Sequence, residues 1–301
     1  MLPASLFAQT WRVGTWKTAQ TIQPFFYEQF AEGGRVQVFP FTNPADQKAA
    51  LLAGSLDMTG TTLAHAIASA SRGEPIVVVA ALCNKSSALV VGRDAPIHVP
   101  GDLRGRRIGY VPGTMHEILL REVLFRENLD PAQDVTLVRV DFFDMGLALA
   151  RGDIDAFLSG EPFPSLAVHQ GLGRILAYPY FDDAIGPINA GMIVARQTLE
   201  KRPELVQALV ATHVRATRHL LGHPEEWLGA AAEFGTPLDV LRIAAGNMEL
   251  AWDMDERFVA QVAALGARML ELGLIDREPD YGALIDRRFV RDHVADGSSV
   301  R

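Results

Sequence analysis

The 301-residue sequence holds a single cysteine, Cys83. An intrachain disulfide is therefore impossible, and a structural thiolate–metal site, which needs several ligands, is excluded. Long apolar runs are missing too. The longest, Ile76–Cys83, ends at Asn84-Lys85 and is far too short to span a bilayer. Basic charge is scarce: 28 Lys and Arg stand against 36 Asp and Glu, a formal net charge of -8, with no dense basic run. A chain of that sign is a poor partner for nucleic acid or an anionic membrane, whose phosphates call for excess Lys and Arg. Familiar catalytic motifs are also lacking. His116-Glu117 is followed by Leu120 where a zinc-protease helix would need a second histidine, and no Gly-x-Ser-x-Gly or phosphate-loop motif occurs.

What is present is an ordinary globular composition, 49% hydrophobic and 21% charged, in a length that suits two domains. The opening Leu2–Gln9 is apolar and rich in small residues, and it resembles the tail of a removed secretion signal. Apolar runs with strand periodicity then alternate with helical stretches, the pattern of an α/β protein. Strands are expected at Trp11–Trp16, Val36–Phe41 and Ser55–Thr59. Helices are expected at Ala19–Phe30 and Ala45–Ala53, the second capped by Asn43-Pro44 and stopped by Gly54. The same β-α-β-α-β order recurs about a hundred residues later. It runs through strands at Arg107–Val111, Val135–Val140 and Ile154–Leu158, with helices at His116–Glu127 and Phe143–Ala150. Gly54-Ser55-Leu56-Asp57 echoes Gly152-Asp153-Ile154-Asp155, which points to a duplication.

Apolar segments at Ile76–Ala81, Ala88–Val91 and Asn189–Val194 lie outside the two units and read as crossings between lobes. One lobe is expected at 11–90 plus 195–301 and the other at 91–194, with crossings near Val91–Arg93 and Ile193–Ala195. The last third reads as helices at Pro203–Leu221, Pro224–Phe234, Pro237–Met248 and Glu256–Leu272, whose apolar stripes should cover the first lobe.

In open parallel sheets, ligands bind beyond the carboxyl ends of the strands. Those ends are Gly14–Thr18, Phe41–Asn43 and Gly60–Thr62 in one lobe. In the other they are Gly113–His116, Asp141–Phe143 and Gly160–Phe163. Several lead directly into a helix, whose free N–H groups can hold an anionic oxygen without a cationic side chain.

Asp102-Leu103-Arg104-Gly105-Arg106-Arg107-Ile108-Gly109, with Gly113-Thr114 opening a helix, resembles a segment of solute-binding proteins of ABC importers. That segment reads D-L-[KR]-G-[KR]-[KR]-[IV]-[AG]…G-[ST]. Leu52–Met58 followed by Gly60-Thr61, the Glu161-Pro162-Phe163 loop and Arg202–Leu209 are similar to three further motifs of that family, in the same order. The resemblance points to its sulfonate, nitrate, taurine and thiamine-precursor branch. It implies a type II periplasmic-binding-protein fold: two Rossmann-like α/β lobes joined by two crossings, with a ligand cleft between them and added C-terminal helices. It also implies a monomeric periplasmic protein that needs no cofactor or metal and catalyses nothing. Its partners would be a small-molecule ligand and the membrane permease and ATPase subunits.

Carried over by position, Gly113 and Thr114 would bind an anionic or carbonyl group of the ligand. Thr61 and Thr62 would face them, Trp16 would form an apolar wall, and Glu161 would lie near the other end. Met115, His116, Asn84 and Asn189 complete the expected contacts. Asp141 and Glu161 are the candidate carboxylates, and Lys17 and Lys85 the nearest cations. Unpaired carboxylates disfavour a bare oxyanion such as nitrate. An amino-sulfonate, an amide or a heteroaromatic ring stacked on Trp16 or Phe142 fits better.

The main rival is an enzyme of menaquinone or thiamine-pyrimidine synthesis on the same fold. Against it, Cys83 stands alone, whereas the yeast-type pyrimidine synthase carries a cysteine-rich motif. A regulator's effector domain is a weaker third reading, since the first lobe begins almost at residue 11.

Overall fold

The alternating apolar runs form strands in a computed structural model that describes residues 9–42 and 44–295. The expected leader residues before Gln9 and the cap at Asn43 lie outside the described residues. Strands β1 (Gln9–Trp16), β2 (Gly34–Phe41), β3 (Met58–Thr62) and β4 (Ile76–Lys85) come first, then β5 (Ser87–Gly92). They are followed by β6 (Arg107–Tyr110), β7 (Thr136–Arg139), β8 (Ala156–Gly160), β9 (Gly173–Ala177), β10 (Ile188–Ala195) and β11 (Met248–Leu250). They make two mixed sheets, ordered β11-β4-β10-β3-β1-β2 and β7-β6-β8-β5-β9.

The duplication is visible in this order. In each sheet three parallel strands run second-first-third, and an antiparallel strand then lies beside the third. That antiparallel strand is exchanged: β5 leaves the first unit to pair with β8, and β10 leaves the second to pair with β3. The chain therefore changes sheet at Ser86 and again between Ala177 and Ile188. The boundaries expected near residues 91 and 194 fall on the far side of these exchanged strands. Both strands are continuous apolar runs buried along nearly their whole length. Such runs carry no periodic sign of which sheet they join.

The echoed Leu-Asp and Ile-Asp pairs have a structural reason. Asp57 accepts the backbone N–H of Arg12 at 2.8 Å and its guanidinium at 3.0 Å, and Asp155 does the same for Arg107, at 2.8 Å in both cases. Each pair ties the loop before a third strand to the strand beside it. Burial alone would raise the Asp57 carboxyl, but the Arg12 hydrogen bonds and the charge of Arg202 outweigh it and hold it below the usual range. These anchors also delay the third strands, which start at Met58 and Ala156, two or three residues later than the sequence pattern suggests.

The two sites differ in burial: the Asp57 side chain is 2% exposed and that of Asp155 27%. Asp57→Ala strands guanidinium groups over a buried position and should cost about 3 kcal/mol. Asp155→Ala should cost only about 1 kcal/mol. Urea unfolding of the two variants measures the contrast, and equal losses would refute it.

The expected helix at Ala19–Phe30 is broken into short 3-10 turns, Ala19–Thr21 and Gln23–Phe26, and one α-turn, Tyr27–Phe30. Pro24 removes a helical donor, and the Thr15 and Thr21 hydroxyls bond to the carbonyls of Thr21 and Trp16 instead. The C-terminal helices form at Pro203–Gly222, Pro224–Ala232, Leu238–Ala245 and Glu256–Glu271, with Leu205, Val206, Leu209, Val210 and Val214 buried as one stripe. The third is shorter than expected, because Met248–Leu250 pairs along β4 as an edge strand. Helix Glu256–Glu271 packs on the first lobe and reaches the second: Glu122 accepts Arg126 at 2.8 Å and Arg268 at 2.7 Å. No helix among the described residues is long and apolar enough to cross a membrane.

Candidate ligand-binding site

The carboxyl ends of the parallel strands of both sheets converge on one cleft of about 580 Å³, including space open at its mouth. Trp16, Phe41, Thr42 and Thr62 enter from the first lobe, and Thr114, His116, Phe142, Phe143, Gly160 and Phe163 from the second. Asn189 and Ala190 at the start of β10 and Cys83 near the end of β4 form its floor beside the crossings. Phe163 stacks on Phe142 at 6.0 Å and meets Phe143 edge-on at 5.0 Å, so the second lobe presents an aromatic wall opposite Trp16 and Phe41.

Polar groups in the cleft fall into two kinds. Some are already bonded: Thr62 caps helix Leu63–Ser71 through the His65 N–H at 3.2 Å, and the Asn189 amide donates to the Lys85 carbonyl at 2.7 Å. Others are buried without a partner, including the Trp16 indole N–H and the Gln20 carbonyl oxygen. A buried donor and a buried acceptor left unpaired beside an aromatic slot are groups that a ligand can satisfy. His116 is fixed by its Nδ1, 3.0 Å from the Ser87 hydroxyl, and by its edge-on contact with Phe142. Complete burial lowers its pKa to about 4, so the ring is neutral at ordinary pH. Its Nε2 edge lies against Gly160, where an added Cβ would sit 2.7 Å from Nε2.

The expected anion nest at Gly113-Thr114 is already filled. Thr114 caps helix Met115–Arg126, its hydroxyl donates to the Val111 carbonyl at 2.8 Å, and the Glu117 carboxylate accepts the Gly113 N–H at 2.7 Å. Glu117 thus reaches back past the N-cap to the residue before it, and the chain's own carboxylate sits where an anion on Gly113 would. Gly113 does not line the cleft, and Met115 is buried in the core.

Other expected residues lie elsewhere. Lys17 borders a neighbouring hollow with Phe163 and Phe234, and Asp141 lines a wider groove with His65 and Arg139. Asn84 and Lys85 turn away toward Glu249, at 2.9 and 3.1 Å. Thr61 is buried with an unpartnered hydroxyl outside the lining. Glu161 stands behind Gly160 at the crossing: its N–H donates to the Ser86 carbonyl at 2.7 Å, and burial raises its carboxyl pKa. Tyr180, Asn247 and Ser87 bond to one another beside it, so both crossings meet in one polar cluster.

Trp16, Thr62, Thr114, His116, Phe142 and Asn189 are thus the expected residues that do line the cleft. Phe41, Thr42, Gly160 and Phe163 belonged to the strand ends singled out in the sequence. Gln20 did not, because it was assigned to a helix that Pro24 prevents.

Two sheets with exchanged antiparallel strands and a cleft at their facing carboxyl ends define a periplasmic-binding-protein-like fold. Superposition agrees: the alkanesulfonate-binding protein from Xanthomonas axonopodis pv. citri, bound to MOPS, matches with a TM-score of 0.82. That match covers 94% of this chain and 100% of that one at 20% identity, which establishes the fold. The chain belongs to the NMT1/THI5-like family, whose model matches residues 26–227. Among characterised relatives, the 4-amino-5-hydroxymethyl-2-methylpyrimidine phosphate synthase of Schizosaccharomyces pombe is 31% identical over 71% of this chain and 65% of its own length. A putative aliphatic sulfonates-binding protein of Escherichia coli is 25% identical over 64% of this chain and 60% of its own. The chain therefore spans less than two thirds of either relative.

Proposed function

We propose that this chain is the solute-binding component of an ABC-type importer, acting in the periplasm and capturing an uncharged, flat heteroaromatic molecule without altering it. The observation that carries this reading is the composition of the cleft. Five aromatic side chains line it, and no Lys, Arg, Asp or Glu is among its described lining residues. The charged groups Asp46, Arg139, Asp141 and Asp144 stand in the adjoining groove that shares Thr42, Phe142 and Phe143 with it. A sulfonate or nitrate drawn into such a slot would lose hydration without gaining a counter-charge. Glu117 has also taken the Gly113 N–H, the backbone donor expected for an anion. A ring gains stacking area between Trp16 and the Phe142–Phe163 wall, and a ring amine and ring nitrogen match the free Gln20 carbonyl and Trp16 N–H.

The sulfonate-binding relative supports the transport role, and the pyrimidine synthase relative supports the ligand class. An enzyme on this fold is the rival. A general acid or base is best poised near the working pH, whereas His116 is held neutral and Cys83 is pushed up to about 12 by burial. That favours capture over turnover. The permease and ATPase subunits of an importer are the partners this role requires, and the binding unit is a monomer.

Native mass spectrometry of the gently purified protein, followed by calorimetry with an aminopyrimidine, an alkanesulfonate and nitrate, tests the reading. One-to-one aminopyrimidine binding with unaltered ligand recovered is the expected result. Preference for either anion overturns the ligand class, and a chemically changed ligand overturns the binding-protein reading.

A further inference from the structure

Outside the cleft, one side-chain cluster has the chemistry of a site. We propose that His219, His223 and Glu226 bind a borderline divalent cation of the zinc type and clasp a break between two helices. Helix Pro203–Gly222 stops at His223, whose backbone leaves the helical region at φ -133°, ψ 64°, and Pro224 opens the next helix. Proline drives the residue before it out of the helical region, so the break is written into the sequence. It brings one histidine from the last helical turn, one from the break and a carboxylate from the next helix to the same surface.

The donor atoms of the three lie within 4.8 Å of one another. His223 Nδ1 is 2.7 Å from the His219 carbonyl. A carbonyl only accepts, so Nδ1 carries the hydrogen and Nε2 keeps its lone pair free. A backbone carbonyl on the far nitrogen is the usual support of a metal-binding histidine. His219 Nε2 lies 2.8 Å from Glu226 Oε2, a contact that a cation placed between the two would replace. The imidazole rings are nearly parallel, 17° apart with centroids at 4.1 Å, and all three side chains reach solvent. Two imidazoles and one carboxylate suit zinc, with water completing the shell, and they do not suit magnesium, which prefers oxygen ligands. None of the three lines the ligand cleft.

Calorimetry with zinc on the tag-free, chelator-stripped full chain should show one saturable site, and zinc should raise the Tm by about 2–4 °C. His223→Ala and Glu226→Gln should each weaken zinc at least tenfold and remove the Tm rise, measured against each variant's own apo Tm, since each also loses one exposed hydrogen bond. Cobalt should give a visible absorption band that the same variants lose. Absence of a saturable site, undiminished zinc affinity in the double variant, or an equal Tm rise with magnesium would each overturn the proposal.

Discussion

Gly160→Val will abolish ligand capture, with a loss of affinity of at least about a hundredfold, while the fold survives with a lower Tm. A Cβ at this position would lie 2.7 Å from His116 Nε2, 3.0 Å from Cε1 and 3.2 Å from Gln20 Nε2. His116 cannot retreat freely, because Ser87 holds its Nδ1 and Phe142 stands perpendicular to its ring at 5.8 Å. The added methyl groups must therefore enter the slot or expel the imidazole, and overpacking of this kind costs about 1–3 kcal/mol of stability. Calorimetric titration with the co-purified ligand and a thermal melt separate the two effects. Full-strength binding by Gly160→Val would mean that the ligand does not sit between Trp16 and the Phe142–Phe163 wall.

Acid will weaken the protein through its enclosed histidines, since burial lowers His65, His116 and His213 alike to about 4, and His213 is the one whose partners are fully defined. This ring is fully buried; its Nε2–H donates to the Ala81 carbonyl at 2.7 Å, and its Nδ1 accepts from the Tyr27 hydroxyl at 2.7 Å. Burial lowers its pKa from an ordinary 6.5 to about 4. Between those values the unfolded chain binds a proton that the folded chain refuses. The stability is therefore fully present above pH 6.5 and is lost as pH falls toward 4. At ~1.4 kcal/mol per pH unit, His213 accounts for about 3 kcal/mol of that loss. His116 titrates in the same direction, and Glu161, whose pKa is raised by burial, in the opposite one. His213→Leu leaves the Tyr27 hydroxyl and the Ala81 carbonyl unpaired and should cost about 3 kcal/mol at pH 7.5. Its urea-measured stability should then fall less steeply between pH 6.5 and 4.5. A slope equal to that of the unmodified protein would show that His213 is not the group responsible.

Much of the fold was legible because its punctuation is local. Gly54 and Gly152 end helices with positive φ, and Leu56-Asp57 and Ile154-Asp155 mark the anchors that repeat in both lobes. The exchange of β5 and β10 was not legible. Val90 and Ile193 are each fully buried, and burial alone does not say in which sheet. The candidate site divides in the same way. Trp16, Thr62, His116 and Phe142 follow from the ends of strands, which local pattern marks. Asn84 and Lys85 lie as close to a strand end, yet positive φ at Lys85 and Ser86 swings the chain toward Glu249. The Gly113 donor is taken by Glu117, one turn into the helix that Thr114 caps, a contact that depends on the left-handed turn at Gly113 and not on the helix start alone.

The exchanged strands also set a timetable for a chain emerging from the ribosome or a secretion pore. β3 and β4 are complete by Lys85, but the strand that lies between them, β10, does not begin until Ile188. For about a hundred residues of synthesis the centre of the first sheet is missing, and the threonine-rich β3 and the apolar β4 have no partner between them. An early collapse into a finished lobe is thereby postponed. The same delay makes any product that stops short of Ile188 a fragment with two unpaired strand edges, one of them the long apolar β4, prone to aggregate rather than to fold.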